Sequence, residues 1–200
     1  MRESDGELMA RCKNGDMSAF DLIVRRYKTP LVNFAYRFTG DREAAEDLAQ
    51  ETFIRIYKNV NRYKENTAGF RTWMYRIAAN LCKNEIRNRR RHGLSSLEEL
   101  LTDEEGKRNY ALMTDYSQIP ELLYEKKEQQ MLIKQAIDRL PQNQRLAIIM
   151  VTYQNLRYDE IANALGCSVS AVKSLIHRAR QNLKKYLIES DIGGGYNAKV

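Results

Sequence analysis

From Ser4 to Arg91 apolar residues return every three or four positions, and nowhere does a sustained two-residue alternation of β-branched side chains occur. A chain patterned this way buries one stripe per segment only if the segments are helices, so the fold class is all-α. Local signals mark where the helices start and stop. Ser4 followed by Glu7 forms a capping box ahead of a helix that Gly15 closes. Asp16 or Ser18 caps the next, which turns Phe20, Ile23, Val24 and Tyr27 inward until Pro30 breaks or bends it. A further helix runs through Leu31, Phe34, Ala35 and Phe38 to Gly40, and Asp41 caps another that reaches about Val60, burying Ala45, Leu48, Ala49, Phe53, Ile56 and Tyr57. After a polar stretch, Asn61 to Ala68, the last helix of this half begins near Gly69 and ends in a basic run before Gly93.

Between about Leu94 and Gln118 the helical period fades, and six acids (Glu98, Glu99, Asp103, Glu104, Glu105, Asp115) face only Lys107 and Arg108. This segment reads as a solvated acidic linker, kept extended by like charge. Pro120 suits the first turn of a new helix, and more helices follow before the glycine run Gly193 to Gly195. The expected organisation is therefore a first helical domain over 1–93, a flexible linker over 94–119, a second helical domain over 120–190 and a tail over 191–200. No apolar run approaches the roughly 20 residues that span a bilayer, so no direct membrane insertion is expected. The start lacks a signal peptide's basic-then-apolar order, which points to the cytoplasm. Cys12, Cys82 and Cys167 are isolated, which argues against both a disulfide framework and a zinc site.

The second half carries the more specific pattern. Tyr158 to Leu187 has the spacing of a helix-turn-helix. Ile161, Ala162 and Leu165 line the first helix, Gly166 tolerates the turn, and Ser168 caps a second helix whose inner side is Val172, Leu175, Ile176, Ala179 and Leu183. Its outer side offers Ser170, Lys173, Ser174, His177, Arg178 and Gln181. Five cations and no acid lie between Lys173 and Lys185, a charge pattern suited to a DNA major groove. A helix that merely solvated a surface would mix both signs, as the preceding helix does with Asp159 and Glu160. The chain's formal charge of +7 favours a polyanionic partner too.

A second basic feature lies in the first half. On the helix from Gly69, Phe70, Trp73, Met74, Ile77 and Leu81 make an apolar stripe, while Arg76, Asn80, Lys83, Arg87 and Arg90 form a ridge beside it. Tyr63, Phe70, Arg71 and Trp73 at its entrance offer surfaces for an unstacked base, although the aromatics serve equally well as core. The helix before it presents Asp47, Gln50, Glu51, Ile54, Arg55 and Lys58 outward, as a protein-docking face would.

These residues resemble a known family. The run Asp41-Arg-Glu-Ala-Ala-Glu-Asp-Leu-Ala-Gln-Glu-Thr-Phe, then Phe70-Arg-Thr-Trp-Met-Tyr-Arg-Ile-Ala-Ala-Asn, Leu140-Pro, and Tyr158-Asp-Glu-Ile-Ala with Val172-Lys-Ser are similar to sigma-70 factors of the extracytoplasmic-function (ECF) type. The resemblance covers roughly residues 15–92 and 120–187. It implies a factor that binds core RNA polymerase and directs promoter-specific initiation, docking on the largest-subunit clamp through Asp47, Gln50, Glu51, Ile54 and Arg55. It further implies that Tyr63, Arg71, Trp73, Arg76, Asn80, Lys83, Asn84, Arg87 and Arg90 serve the melted minus-ten element, with Asn80 holding a flipped base. Ser168, Ser170, Ala171, Lys173, Ser174, His177 and Arg178 would read the minus-thirty-five duplex, with that domain against the polymerase flap. Leu175 departs from the Arg many relatives carry, which puts one contact and the promoter sequence in doubt. Relatives are often sequestered by an anti-sigma protein, frequently membrane-anchored; such a partner would hold this otherwise nucleoid-associated chain at the membrane.

Two other classes compete. A stand-alone helix-turn-helix repressor or activator needs a ligand pocket or dimer face in its first half, where the sequence instead offers a basic ridge. A nucleic-acid enzyme needs a phosphate loop, a metal cluster or a nucleophile arrangement; none is found, and no catalytic residue, cofactor or metal is expected.

Overall fold

The computed structural model describes residues 3–64, 69–99 and 131–189. They form helices throughout, with no strand among them. The helices are α1 (Asp5–Lys13), α2 (Met17–Thr39), α3 (Arg42–Lys58), a single 3-10 turn (Val60–Arg62), α4 (Gly69–Glu99), α5 (131–138), α6 (Gln142–Tyr153), α7 (Tyr158–Leu165) and α8 (Val169–Glu189).

The helix starts follow the side-chain chemistry of the sequence. Ser4 and Glu7 close their capping box in both directions. Asp16 accepts from the backbone N–H groups of Ser18 and Ala19, and the Ser18 hydroxyl and then the Arg11 guanidinium draw its carboxyl down to about 2. Asp41 caps α3 through the Ala44 N–H at 3.2 Å, and Gly40, at φ +75°, ends α2.

Four expectations are corrected. Pro30 breaks nothing: α2 is one helix of 23 residues with Pro30 inside it. An interior proline costs about 3 kcal/mol, but Ile23 and Tyr27 before it and Leu31 and Phe34 after it are all buried on one face, and that shared packing holds the helix together. Secondly, α4 does not stop before Gly93 but continues to Glu99, so the first six residues expected as linker are helical. Thirdly, Tyr57 lies on the surface, its ring tilted against that of Phe20 with centroids 5.3 Å apart. Fourthly, the buried stripe of α4 is rotated. Phe70, Met74 and Leu81 are buried as expected, but Tyr75, Ala78, Ala79 and Cys82 join them while Trp73 and Ile77 are only half-buried.

The rotation has a cause: α4 is covered on two sides. One side rests on α1, α2 and α3, and the other meets α7. The two helical units share one continuous buried cluster. Residues 100–119 of the expected linker, the Pro120 helix start and the 191–200 tail lie outside the described residues. Burial pushes the Cys82 thiol up to about 12 and raises that of Cys12, so both remain protonated packing groups at neutral pH.

Candidate nucleic-acid interface

The second unit builds its outward face around one turn. Gly166 takes φ +68° and its N–H reaches the Ala162 carbonyl, ending α7. Ser168 then caps α8, its hydroxyl accepting from the Ala171 N–H at 3.1 Å. Val172, Ile176 and Ala179 are buried and Leu175 and Leu183 packed against them, which fixes the rotation of α8. Ser168, Ser170, Lys173, Ser174, His177 and Arg178 are left exposed, and Ala171 half-buried. With Arg180, Lys184 and Lys185 also exposed and the sole acid of α8 at Glu189, the face is electropositive over most of its length. A side chain at Gly166 would meet open space, so only backbone strain opposes it. Gly166→Ala should lower the melting temperature by about 2 to 4 °C, from a left-handed penalty of about 1 kcal/mol, without changing helicity; an unchanged melting curve would mean the turn is not held this tightly.

The first unit presents its ridge along α4. Arg76, Asn80 and Arg87 are exposed and Lys83 half-exposed. Arg90 lies on the same helix. The entrance is arranged less openly than the sequence suggested. Tyr63 is only 4 % exposed, its ring 5.2 Å from Trp73 and 6.1 Å from Phe70, with Lys13 donating to its carbonyl. Within this cluster, which also holds Tyr27 against Phe70, Trp73 alone keeps part of its surface open. Arg71 donates to the backbone carbonyl of Gln154 at 2.6 Å and so faces the second unit.

The acidic face of α3 borders a groove of about 490 Å³ between α3 and α4. Asp47, Glu51 and Arg55 line it from one side, with Glu51 and Arg55 paired at 2.7 Å. Asn84, Asn88 and Arg89 line it from the other. Asn84 thus sits with the docking candidates, and its carbonyl oxygen accepts from Arg87 at 3.0 Å. Arg89 is turned away from the ridge by Glu85 and Asp41, at 2.6 and 2.9 Å. Gln50 and Ile54 are exposed on the same helix, Ile54 by 44 %.

Three residues central to the structure were not singled out by the sequence: Tyr75, Arg145 and Gln154. All are buried, and all join the two units. Polar letters inside an apolar run give no sign of whether water or a neighbouring helix covers them. No group of histidine, cysteine and carboxylate side chains that could hold a metal occurs among the described residues, and no helix there is long and apolar enough to cross a membrane.

Comparison with known proteins agrees with this arrangement. Residues 23–92 match the family model for sigma-70 region 2, and residues 130–183 match that for sigma-70 region 4. The chain is 34 % identical over 186 residues to the RNA polymerase sigma-H factor of Pseudomonas aeruginosa, covering 93 % of this chain and 95 % of that one. It is 37 % identical over 175 residues to the ECF RNA polymerase sigma factor SigW of Bacillus subtilis, covering 88 % and 92 %. Among solved structures, CnrH in complex with the cytosolic domain of CnrY has a TM-score of 0.67 at 21 % identity, covering 94 % of this chain and 99 % of that one. The sigma factor RpoE bound to the anti-sigma factor NepR, from Bartonella quintana, has a TM-score of 0.63 at 23 % identity, covering 84 % and 96 %. At that identity the likeness is one of fold. With both family regions matched in order and relatives aligned along nearly their full length, the chain belongs to the sigma-70 family as an RNA polymerase sigma factor of the ECF type.

Proposed function

We propose that the three surfaces divide the work of promoter-specific initiation. The exposed side of α3 and its groove, with Asp47, Gln50, Glu51, Ile54 and Arg55, docks on the clamp of core RNA polymerase. The α4 ridge, with Arg76, Asn80, Lys83 and Arg87, holds the opened minus-ten element, and the outer face of α8, with Lys173, Ser174, His177 and Arg178, reads the minus-thirty-five duplex while its domain rests on the flap. One observation supports the reading: two exposed cationic faces lie on separate helices, α4 and α8, while the acid-rich face of α3 borders a groove beside α4. A stand-alone repressor has no use for the second cationic face. The chain acts without catalysis, cofactor or metal of its own, in the cytoplasm at the nucleoid. An anti-sigma protein is a further partner, and a membrane-anchored one would hold the chain at the membrane.

The docking assignment has its own test. Charge reversal at Asp47 or Glu51, or Ile54→Glu, should weaken capture by core polymerase about tenfold or more, because like charge and a desolvated carboxylate replace complementary contacts. Helicity and melting should stay nearly unchanged, since all three side chains point outward. Variants that bind polymerase as the parent does would place the docking surface elsewhere.

A further inference from the structure

The first helix has its own hold on the aromatic cluster at the entrance to the α4 ridge. Leu8, Met9 and Cys12 bury one face of α1. Its start is fixed by Asp5, which pairs with Arg26 and accepts from the Tyr27 hydroxyl. Its end is fixed by Arg11, which donates twice, at 2.7 and 2.9 Å, to the Asp16 carboxylate that caps α2. From this fixed end Lys13 reaches Tyr63, the residue just after the 3-10 turn. Its ammonium donates to the Tyr63 carbonyl, where the backbone is extended, and lies 5.5 Å from the centroid of the same ring. That ring lies in turn 5.2 Å from Trp73. Tyr27, the partner of Asp5, lies 5.4 Å from Phe70, and Phe70 lies 6.2 Å from Trp73. α1 thus braces the cluster at two points, and both lines of contact end on Trp73. The matched sigma-70 region 2 begins at residue 23, beyond α1.

We propose that Lys13 is a positioning residue for promoter opening: it holds Tyr63 so that Trp73 offers a fixed surface to an unstacked minus-ten base. The step from brace to opening rests on the functional reading above, in which the opened element lies along α4, with Trp73 at the entrance of that ridge. Tyr63 is buried and cannot itself receive a base, whereas Trp73 keeps part of its surface open. A platform that is already rigid when the base leaves the stack costs no further side-chain ordering at that step. A loose platform adds that cost, and its tolerance blunts the difference between one base and another. A single hydrogen bond from a surface lysine adds only modestly to overall stability. The contact therefore governs where Tyr63 sits more than whether the chain folds.

Trp73 is the chain's single tryptophan, so its fluorescence reads the brace in the full chain without DNA. Lys13→Met keeps the apolar stem and removes the donor and its charge. It should raise quenching of Trp73 by acrylamide about twofold, as a half-buried ring gains local freedom, with helicity and melting nearly unchanged. With core polymerase, on a promoter that the parent transcribes, Lys13→Met should leave closed-complex capture intact and lower opening about three- to tenfold, the scale of one charge-assisted hydrogen bond. The preference for that promoter over templates changed only in the minus-ten element should shrink as well. Lys13→Arg, which can still donate to the Tyr63 carbonyl, should restore quenching, opening and preference. Equal quenching in the parent and Lys13→Met overturns the proposal. So does a drop in opening that is uniform across minus-ten sequences, which a merely structural role would give. Asn80→Ala separates this inference from the reading beneath it. If Asn80→Ala impairs opening and Lys13→Met does not, the positioning role alone falls; if both variants open the promoter as the parent does, the functional reading falls and takes the proposal with it.

Discussion

Asn80→Ala should leave closed-complex formation intact and lower promoter opening roughly ten- to a hundredfold. Asn80 is exposed on α4, one turn along from Arg76 and just before Lys83, on a ridge whose neighbours are cationic. A side-chain amide has both a donor and an acceptor, so it can match the edge of a base that has left the stack, which the cations beside it cannot do. Such a contact contributes about 1 to 3 kcal/mol and exists only after melting, so its loss falls on the opening step. Lys83→Ala and Arg87→Ala should fail differently. Their charges attract the displaced backbone at any sequence, so a template already unpaired across the minus-ten element should partly rescue them and leave the Asn80 defect in place. Permanganate reactivity of unpaired thymines on duplex and bubble templates reads this directly. Equal opening by parent and Asn80→Ala on duplex DNA would remove Asn80 from the site.

The opposite defect is expected on α8. Arg178→Ala or Lys173→Ala should weaken capture of the closed promoter by about 1 to 3 kcal/mol where the contact is to a base edge, and by less, uniformly across sequences, where it is to phosphate. Both side chains are exposed, and the buried row Val172, Ile176 and Ala179 fixes the direction in which they project. The salt dependence of polymerase–promoter binding separates the two cases: loss of a phosphate contact should reduce its slope by about one. Promoters already open should suffer less from either variant. Equal losses on closed and open promoters would place these residues outside the initial encounter.

Much of this molecule is legible in its sequence because local chemistry decides it. Ser4 with Glu7, Asp41, and Gly166 with Ser168 each make the cap or turn that their types and spacing imply, since a cap involves only neighbours in the chain. The outward set on α8 is legible for the same reason, as one buried row fixes the rest of a helix. What fails is whatever depends on a second surface. A helical wheel shows that α4 has an apolar side, but not that further helices cover more of it; Tyr75, set between Phe34 and Gln154, and Cys82 are therefore missed, and Trp73 is placed too deep. Tyr57, expected inside, lies at the surface, whereas Tyr63, equally suited to core or to a base platform, is buried in the pocket formed by Phe70, Trp73 and Lys13. Pro30 survives inside α2 because packing of distant residues outweighs a local penalty. Arg145 is the furthest from the sequence's reach. Its partners at Phe38 and Asp138 lie 107 residues before it and 7 before it, and nothing in its surroundings of Gln144 and Leu146 marks it as a buried tie.

Core RNA polymerase is expected to take its promoter choice from this chain through two separate DNA surfaces. Transcription by core polymerase reconstituted with the purified chain, on a promoter pool randomised across both elements, tests it most directly. The transcribed templates should share two sequence blocks at a fixed separation. Arg178→Ala should relax only the upstream block, Asn80→Ala should relax only the downstream block, and core polymerase alone should select neither. Transcription indifferent to the chain, or a single selected block that the chain binds equally tightly without polymerase, would contradict the account.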